Sequence, residues 1–151
     1  MIMNLWTALL HTNEVLVTSL VAWLIAQLLK TIVFLIIHGK LDIERLVGAG
    51  GWPSAHTALV VSLATSIGLH EGVDSNLFAL SVIFACIVMY DAAGVRRAAG
   101  NQARVLNEIL EELQERRTFS EIKLKELLGH TPVEVLSGAL LGIVIAYLVY
   151  I

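Results

Sequence analysis

Two histidines with polar neighbours are the first candidates for chemistry in this sequence. His56 follows Pro53 and Ser54 at the start of an apolar segment, and His130 precedes Glu134 by one helical turn. A helix N-terminus offers free backbone N–H groups to an anion. Ser54 adds a hydroxyl donor, and a histidine beside it can donate a proton. The alternative for this first motif is an ordinary capped helix start with a buried histidine.

The spacing of His130 and Glu134 places both side chains on one helical face. A carboxylate in that position holds the imidazole tautomer and raises the nucleophilicity of the ring. The same stretch, from Thr131 through Pro132 to Glu134, also has capping-box spacing, with proline at the first helical position. The two roles of Glu134 are compatible. The alternative is that the hydrogen bonds of His130 are satisfied at the membrane interface and that the residue takes no part in chemistry.

Three cations complete the set of candidate residues. Lys30 lies within an apolar segment, where a central lysine costs about 2.5–3.5 kcal/mol on insertion scales, unless its ammonium snorkels to the interface. Arg96 and Arg97 follow Asp91 after another apolar segment, where arginines either anchor the topology or bind phosphate oxygens. These groups fit phosphoryl transfer, which needs cations, a nucleophile and an acid. The sequence has no metal-ligand spacing, and we expect no metal or cofactor.

The composition places these polar residues in a membrane protein. Of 151 residues, 57% are hydrophobic and 15% charged, whereas soluble domains have about 45–50% and about 25%. The predicted fold class is an all-α polytopic membrane bundle that forms a single domain. Four segments are long enough or nearly long enough to cross the bilayer as helices, at 15–37, 54–69, 77–93 and 133–151. The middle two span only if their polar ends lie in protein or in a water-filled recess.

The distribution of lysine and arginine predicts the orientation of the bundle. Loops 38–53 and 94–132 contain basic residues, whereas the turn 70–76 and the segments outside the first and last spans have none. We therefore expect both loops, and all the polar clusters described above, on the cytoplasmic side of the cell (inner) membrane. Residues 102–128 are predicted to form an amphipathic helical hairpin under the bundle or on the headgroups.

The expected partners are membrane components. The formal net charge of −3 argues against nucleic acid as a partner. A bundle this small can bury its polar site by self-association, so a homodimer is one arrangement that the sequence predicts. Small residues on the last span offer positions for close helix packing, namely Gly138, Ala139 and Gly142.

Taken in order, these motifs resemble the divergent branch of the type 2 phosphatidic acid phosphatases, whose superfamily also includes vanadium haloperoxidases. The segment from Pro53 to His56 is similar to the Pro-Ser-Gly-His motif, with alanine in place of glycine. The segment from His130 to Gly138 is similar to the final His-x-x-x-Asp motif, with Glu134 in place of aspartate. The resemblance extends over roughly residues 29–142.

That resemblance implies a metal-independent phosphatase with a phosphohistidine intermediate. His130 would be the nucleophile, Glu134 its orienting carboxylate and His56 the acid that protonates the leaving oxygen. The resemblance also assigns phosphate binding to one hydroxyl and to cations, namely Ser54, Lys30, Arg96 and Arg97.

The function predicted from the sequence is hydrolysis of a phosphate or diphosphate on a lipid or isoprenoid carrier. One alternative is a binding or transport protein, in which the same cations hold an anionic headgroup without turnover. Another is a structural membrane protein, in which the polar clusters are helix caps and topology anchors.

Overall fold

A computed structural model describes residues 13–39, 51–115 and 130–151, with backbone alone at 95–99 and 111–115. Within these ranges every regular element is an α-helix, so the expected all-α fold is confirmed for this part of the chain. The five helices are α1 (Glu14–His38), α2 (Ala55–Glu71), α3 (Asn76–Ala93), α4 (Val95–Glu115) and α5 (Pro132–Tyr150). The second half of the predicted hairpin, at 116–128, lies outside the described residues.

Polar caps determine where most of these helices begin. Four helices start after a residue whose side-chain oxygen accepts the N–H three positions later, namely Asn13, Ser54, Ser75 and Thr131. Pro132 occupies the first turn of α5, as its sequence position predicts. Pro53 instead precedes the cap of α2, because that helix begins one residue after Ser54.

Three of the described helices, α1, α3 and α5, are long and apolar enough to cross a membrane. Each exposes large apolar side chains, such as Leu24, Ile83 and Leu140, on its outer face. Such a surface suits contact with lipid and would be unfavourable in water. Helix α2 is shorter, with 17 residues, so the arrangement with four membrane crossings stays a prediction.

Helix α2 packs against α1, α3 and α5, and its contact with α5 is unusually close. A Cβ atom added at Gly138 would clash with the carbonyl oxygen of Ser54, and one added at Gly142 would lie 2.6 Å from that of Ala58. Two glycines at this spacing let the helix backbones touch. Gly138 and Gly142 therefore pack within the chain, while the homodimer they suggested stays a prediction.

Helix α4 follows α3 after Gly94 and, among the described helices, contacts α3 alone. The amphipathic pattern predicted from residue 102 thus belongs to a longer helix that starts at Val95. Arg96 and Arg97, which the sequence placed at the end of the third span, lie instead in the first turn of α4. Leu106 is among the apolar residues that α4 leaves exposed.

Candidate active site

Two backbone hydrogen bonds join the starts of α2 and α5 to the end of α3. The N–H of Ser54 donates to the carbonyl oxygen of Glu134 at 3.0 Å, and the N–H of His130 donates to that of Ala92 at 3.1 Å. His56 follows Ser54 by two residues. Three of the polar clusters identified in the sequence therefore meet at one end of the bundle.

Helix α1 brings Lys30 towards the same end. Ala26 packs against Ala55 and Ala58 in one buried cluster, which fixes the height of α1 beside the first turn of α2. Lys30 lies one turn beyond Ala26 on the same face of α1. It is only 4% exposed, so its side chain lies within the bundle and does not extend along the outer surface as a snorkelling lysine would.

The rings of His56 and His130 lie next to each other. Their centroids are 6.3 Å apart and their planes are inclined at 63°. His130 is 1% exposed, whereas His56 is half-buried. In-line transfer needs a nucleophile roughly 3–3.5 Å from phosphorus and an acid about 2.7–3.2 Å from the leaving oxygen. With centroids 6.3 Å apart, both rings can contact one phosphoryl group bound between them.

One carboxylate oxygen of Glu134 serves both as a helix cap and as the partner of His130. Its Oε2 accepts the backbone N–H of Thr131 at 2.9 Å and lies 3.1 Å from Nδ1 of His130. The Thr131 hydroxyl in turn accepts the N–H of Glu134 at 3.3 Å. Because an ionised carboxylate only accepts, Nδ1 of the neutral ring carries the proton. Nε2 then carries the lone pair of the ring.

Thr57 controls the direction of the Ser54 hydroxyl. Its N–H and its hydroxyl both donate to Oγ of Ser54, at 3.4 and 3.0 Å. The carbonyl oxygen of Ser54 accepts the N–H of Ala58 at 3.0 Å, and Ser54 is fully buried. Because both Thr57 groups donate, the hydroxyl hydrogen of Ser54 remains available for an acceptor other than Thr57. Sequence reasoning missed Thr57, although its distance of three residues from a capping serine was the available signal.

The structure describes the backbone position of the two arginines. Arg96 and Arg97 lie in the first turn of α4, shortly after Ala92, whose carbonyl oxygen holds the N–H of His130. This places their backbone at the end of the bundle where the histidines meet. Their assignment to phosphate binding stays a prediction.

The described side chains at this end comprise an imidazole with a carboxylate partner, a second imidazole, a buried hydroxyl and a buried ammonium. Such a set can bind an anion, attack its central atom and protonate a leaving group. Within the ranges that the structure describes, no group of three or more His, Cys, Asp or Glu side chains is arranged to hold a metal ion.

Comparison with known proteins gives two matches. A family model described as "Divergent PAP2 family" matches residues 11–145. The chain is also 44% identical over 147 residues to the "Uncharacterized membrane protein YuiD" of Bacillus subtilis (strain 168), with 90% of this chain and 93% of the relative covered. No solved structure matches the chain. The resemblance carried by the motifs is therefore confirmed at the level of the family.

Proposed function

We propose that this chain, which belongs to the Divergent PAP2 family, is a membrane phosphatase acting on a lipid or isoprenoid phosphate or diphosphate through a phosphohistidine. The observation that supports this most is the adjacency of the His56 and His130 rings at 6.3 Å, with Glu134 beside Nδ1 of His130. This arrangement gives one ring a nucleophilic nitrogen and leaves the other to transfer protons.

In the first step, Nε2 of His130 attacks phosphorus, and a P–N bond forms as the bond to the leaving oxygen breaks. Protonated His56 donates its proton to that oxygen. The carboxylate of Glu134 stabilises the positive charge that develops on the attacking ring, as in other carboxylate–histidine pairs. Lys30 and the Ser54 hydroxyl stabilise the charge on the phosphoryl oxygens.

In the second step, water attacks the phosphorus of phosphohistidine. His56, now neutral, accepts a proton from that water, and the P–N bond breaks. Inorganic phosphate leaves, His130 regains its lone pair and His56 is again protonated. The cycle consumes one water and needs no further reactant.

A phosphate on a membrane lipid suits the location of the site. Trp52, beside the start of α2, and Tyr90, in the last turn of α3, are both exposed. Tryptophan and tyrosine are enriched where the membrane meets water. A headgroup at this depth would approach the histidine pair while its apolar chain stays along the outer faces of the bundle. The basic loops favour the cytoplasmic leaflet.

A binding protein without turnover is the second candidate. The buried Lys30 ammonium and Ser54 hydroxyl can hold an anionic headgroup whether or not a histidine attacks its phosphorus.

Phosphate release by the purified protein tests the choice between these functions. We expect release from a chromogenic phosphate ester or a short-chain lipid phosphate in the presence of EDTA, and its loss in His130→Ala and His56→Ala. His70→Ala is the control, because His70 lies at the far end of α2 against Tyr150. Phosphate binding without release by the wild-type protein would favour the binding function.

A further inference from the structure

We propose that Gln27 is an additional substrate-binding residue, whose side-chain carboxamide donates a hydrogen bond to a phosphoryl oxygen. This inference rests on the proposed function. Gln27 is 4% exposed, and its Oε1 atom has no hydrogen-bond partner among the residues that the structure describes. A polar group held in an apolar interior without a hydrogen bond destabilises the fold. Its presence therefore points to a role other than packing.

The position of Gln27 along α1 matches the depth of the histidine pair. The preceding residue, Ala26, packs against Ala55 and Ala58, so Gln27 lies level with the first turn of α2, which carries His56. Among the described helices, α1 contacts α2 and α5. His56 lies in the first turn of α2, and His130 comes two residues before the start of α5. A buried side chain of α1 at this depth faces these two helices.

The neighbour of Gln27 on this face indicates an anionic ligand. Lys30 follows Gln27 by three residues, a spacing at which helical side chains are neighbours, and both are buried. An ammonium supplies charge, whereas a carboxamide supplies a directed donor. Rotation of the terminal amide by half a turn exchanges its oxygen and its NH2 group without changing its shape. The buried end can therefore present N–H donors, which phosphoryl oxygens accept.

Ser66 provides a matched control elsewhere in the bundle. Its Oγ is also buried, at 2% exposure, with no hydrogen-bond partner in the described part of the chain. It lies one turn before His70, near the opposite end of α2 from His56. Removing this hydroxyl tests what the loss of an unbonded buried polar group does when that group is far from the site.

The experiment measures thermal unfolding, with and without vanadate, together with kcat and KM for a short-chain lipid phosphate. For Gln27→Leu, which replaces the amide by an apolar group of similar size, we expect an equal or higher unfolding temperature. We also expect about a tenfold rise in KM and a smaller shift with vanadate, because one hydrogen bond to a charged ligand is lost. Gln27→Glu should raise KM further by charge repulsion, and Ser66→Ala should change neither KM nor the vanadate shift.

Stability and substrate binding thus move in opposite directions if the inference is right. An unchanged KM and vanadate shift in Gln27→Leu, in an otherwise active protein, would overturn the role of Gln27 and leave the histidine mechanism standing. A lower unfolding temperature with unchanged KM would make Gln27 a packing residue. Should the leucine variant not fold, Gln27→Met is measured by the same criteria. A wild-type protein that neither hydrolyses the substrate nor responds to vanadate would overturn both proposals.

Discussion

Oε2 of Glu134 lies 3.1 Å from Nδ1 of His130 while it also accepts the N–H of Thr131 at 2.9 Å. The capping box of α5 therefore holds the carboxylate in the rotamer that reaches the imidazole. A glutamate can do this because its side chain is long enough to return to the N-cap from the third helical position. One carboxylate oxygen thus takes part both in capping the helix and in the contact with the histidine.

Glu134→Gln removes the negative charge of residue 134 and keeps its role as a helix cap. Glutamine is also used at this position of a capping box, so we expect unfolding free energy to change by less than about 1 kcal/mol. The amide oxygen can still occupy the capping position beside Nδ1, but it carries no charge to stabilise the imidazolium, and kcat should fall by about 10²–10⁴-fold, as for related carboxylate–histidine pairs. Steady-state kinetics and thermal unfolding of the purified protein provide both values. A variant with normal kcat would remove Glu134 from the mechanism.

Thr131→Ala is the complementary substitution. It removes the oxygen that accepts the N–H of Glu134 and is expected to lower the unfolding free energy by about 1 kcal/mol. The Thr131 N–H still holds the carboxylate, so kcat should fall much less than in Glu134→Gln. Equal losses of kcat in both variants would show that the cap, and not the charge, matters for activity.

Thr57→Val tests whether Thr57 directs the hydroxyl of Ser54. Valine keeps the shape of threonine but removes the hydroxyl that donates to Ser54 at 3.0 Å. Only the longer bond from the backbone N–H of residue 57, at 3.4 Å, then holds the Ser54 hydroxyl in place. We expect KM to rise by about 3–10-fold, equivalent to a neutral hydrogen bond, with kcat less affected. Thr57→Ser restores a hydroxyl and should restore KM. A failure of serine to rescue KM would indicate that Thr57 acts by packing alone.

Gly138→Ala and Gly142→Ala test how the packing of α5 on α2 supports the site. An added Cβ at Gly138 meets the carbonyl oxygen of Ser54, and one at Gly142 meets that of Ala58. Both variants should lose about 1–3 kcal/mol of stability through overpacking. Gly138→Ala should also lose most of its activity, because Ser54 itself is displaced. Comparable activities in the two variants, measured well below their unfolding temperatures, would contradict this.

Cysteine labelling tests the predicted orientation. The natural Cys86 is first replaced by serine, and single cysteines are then introduced at Gln102 in α4 and at Val73 between α2 and α3. A membrane-impermeant maleimide added to intact cells should modify the cysteine at 73, whereas the one at 102 should react only after the cells are opened. The reverse pattern would place the site on the outer leaflet.

Local spacing was sufficient to predict the pairing of His130 with Glu134, the capping box of α5 and most of the helices, because each depends on residues within a turn or two of one another. His130 and Glu134 are one turn apart, and the segment expected at 15–37 corresponds to the helix Glu14–His38. The start of α4 at Val95 was not predicted, since hydrophobic periodicity is weak around the arginines. The role of Gln27 could not be inferred from spacing, because it depends on how small residues such as Ala26 set one helix against another. The contact of Thr57 with Ser54 lies within one helical turn, so its spacing was visible in the sequence although the contact was missed.

Trapping the covalent intermediate tests the central claim most directly. With a phosphate ester whose leaving group needs no acid, His56→Ala should still form phosphohistidine but hydrolyse it slowly, because the base for water is missing. Mass spectrometry of the protein quenched at alkaline pH, which preserves phosphohistidine, should then locate the phosphoryl group on His130. Phosphorylation at another residue would contradict nucleophilic attack by His130. So would turnover by the wild-type protein if no phosphorylated intermediate is detectable in the wild-type protein or in His56→Ala.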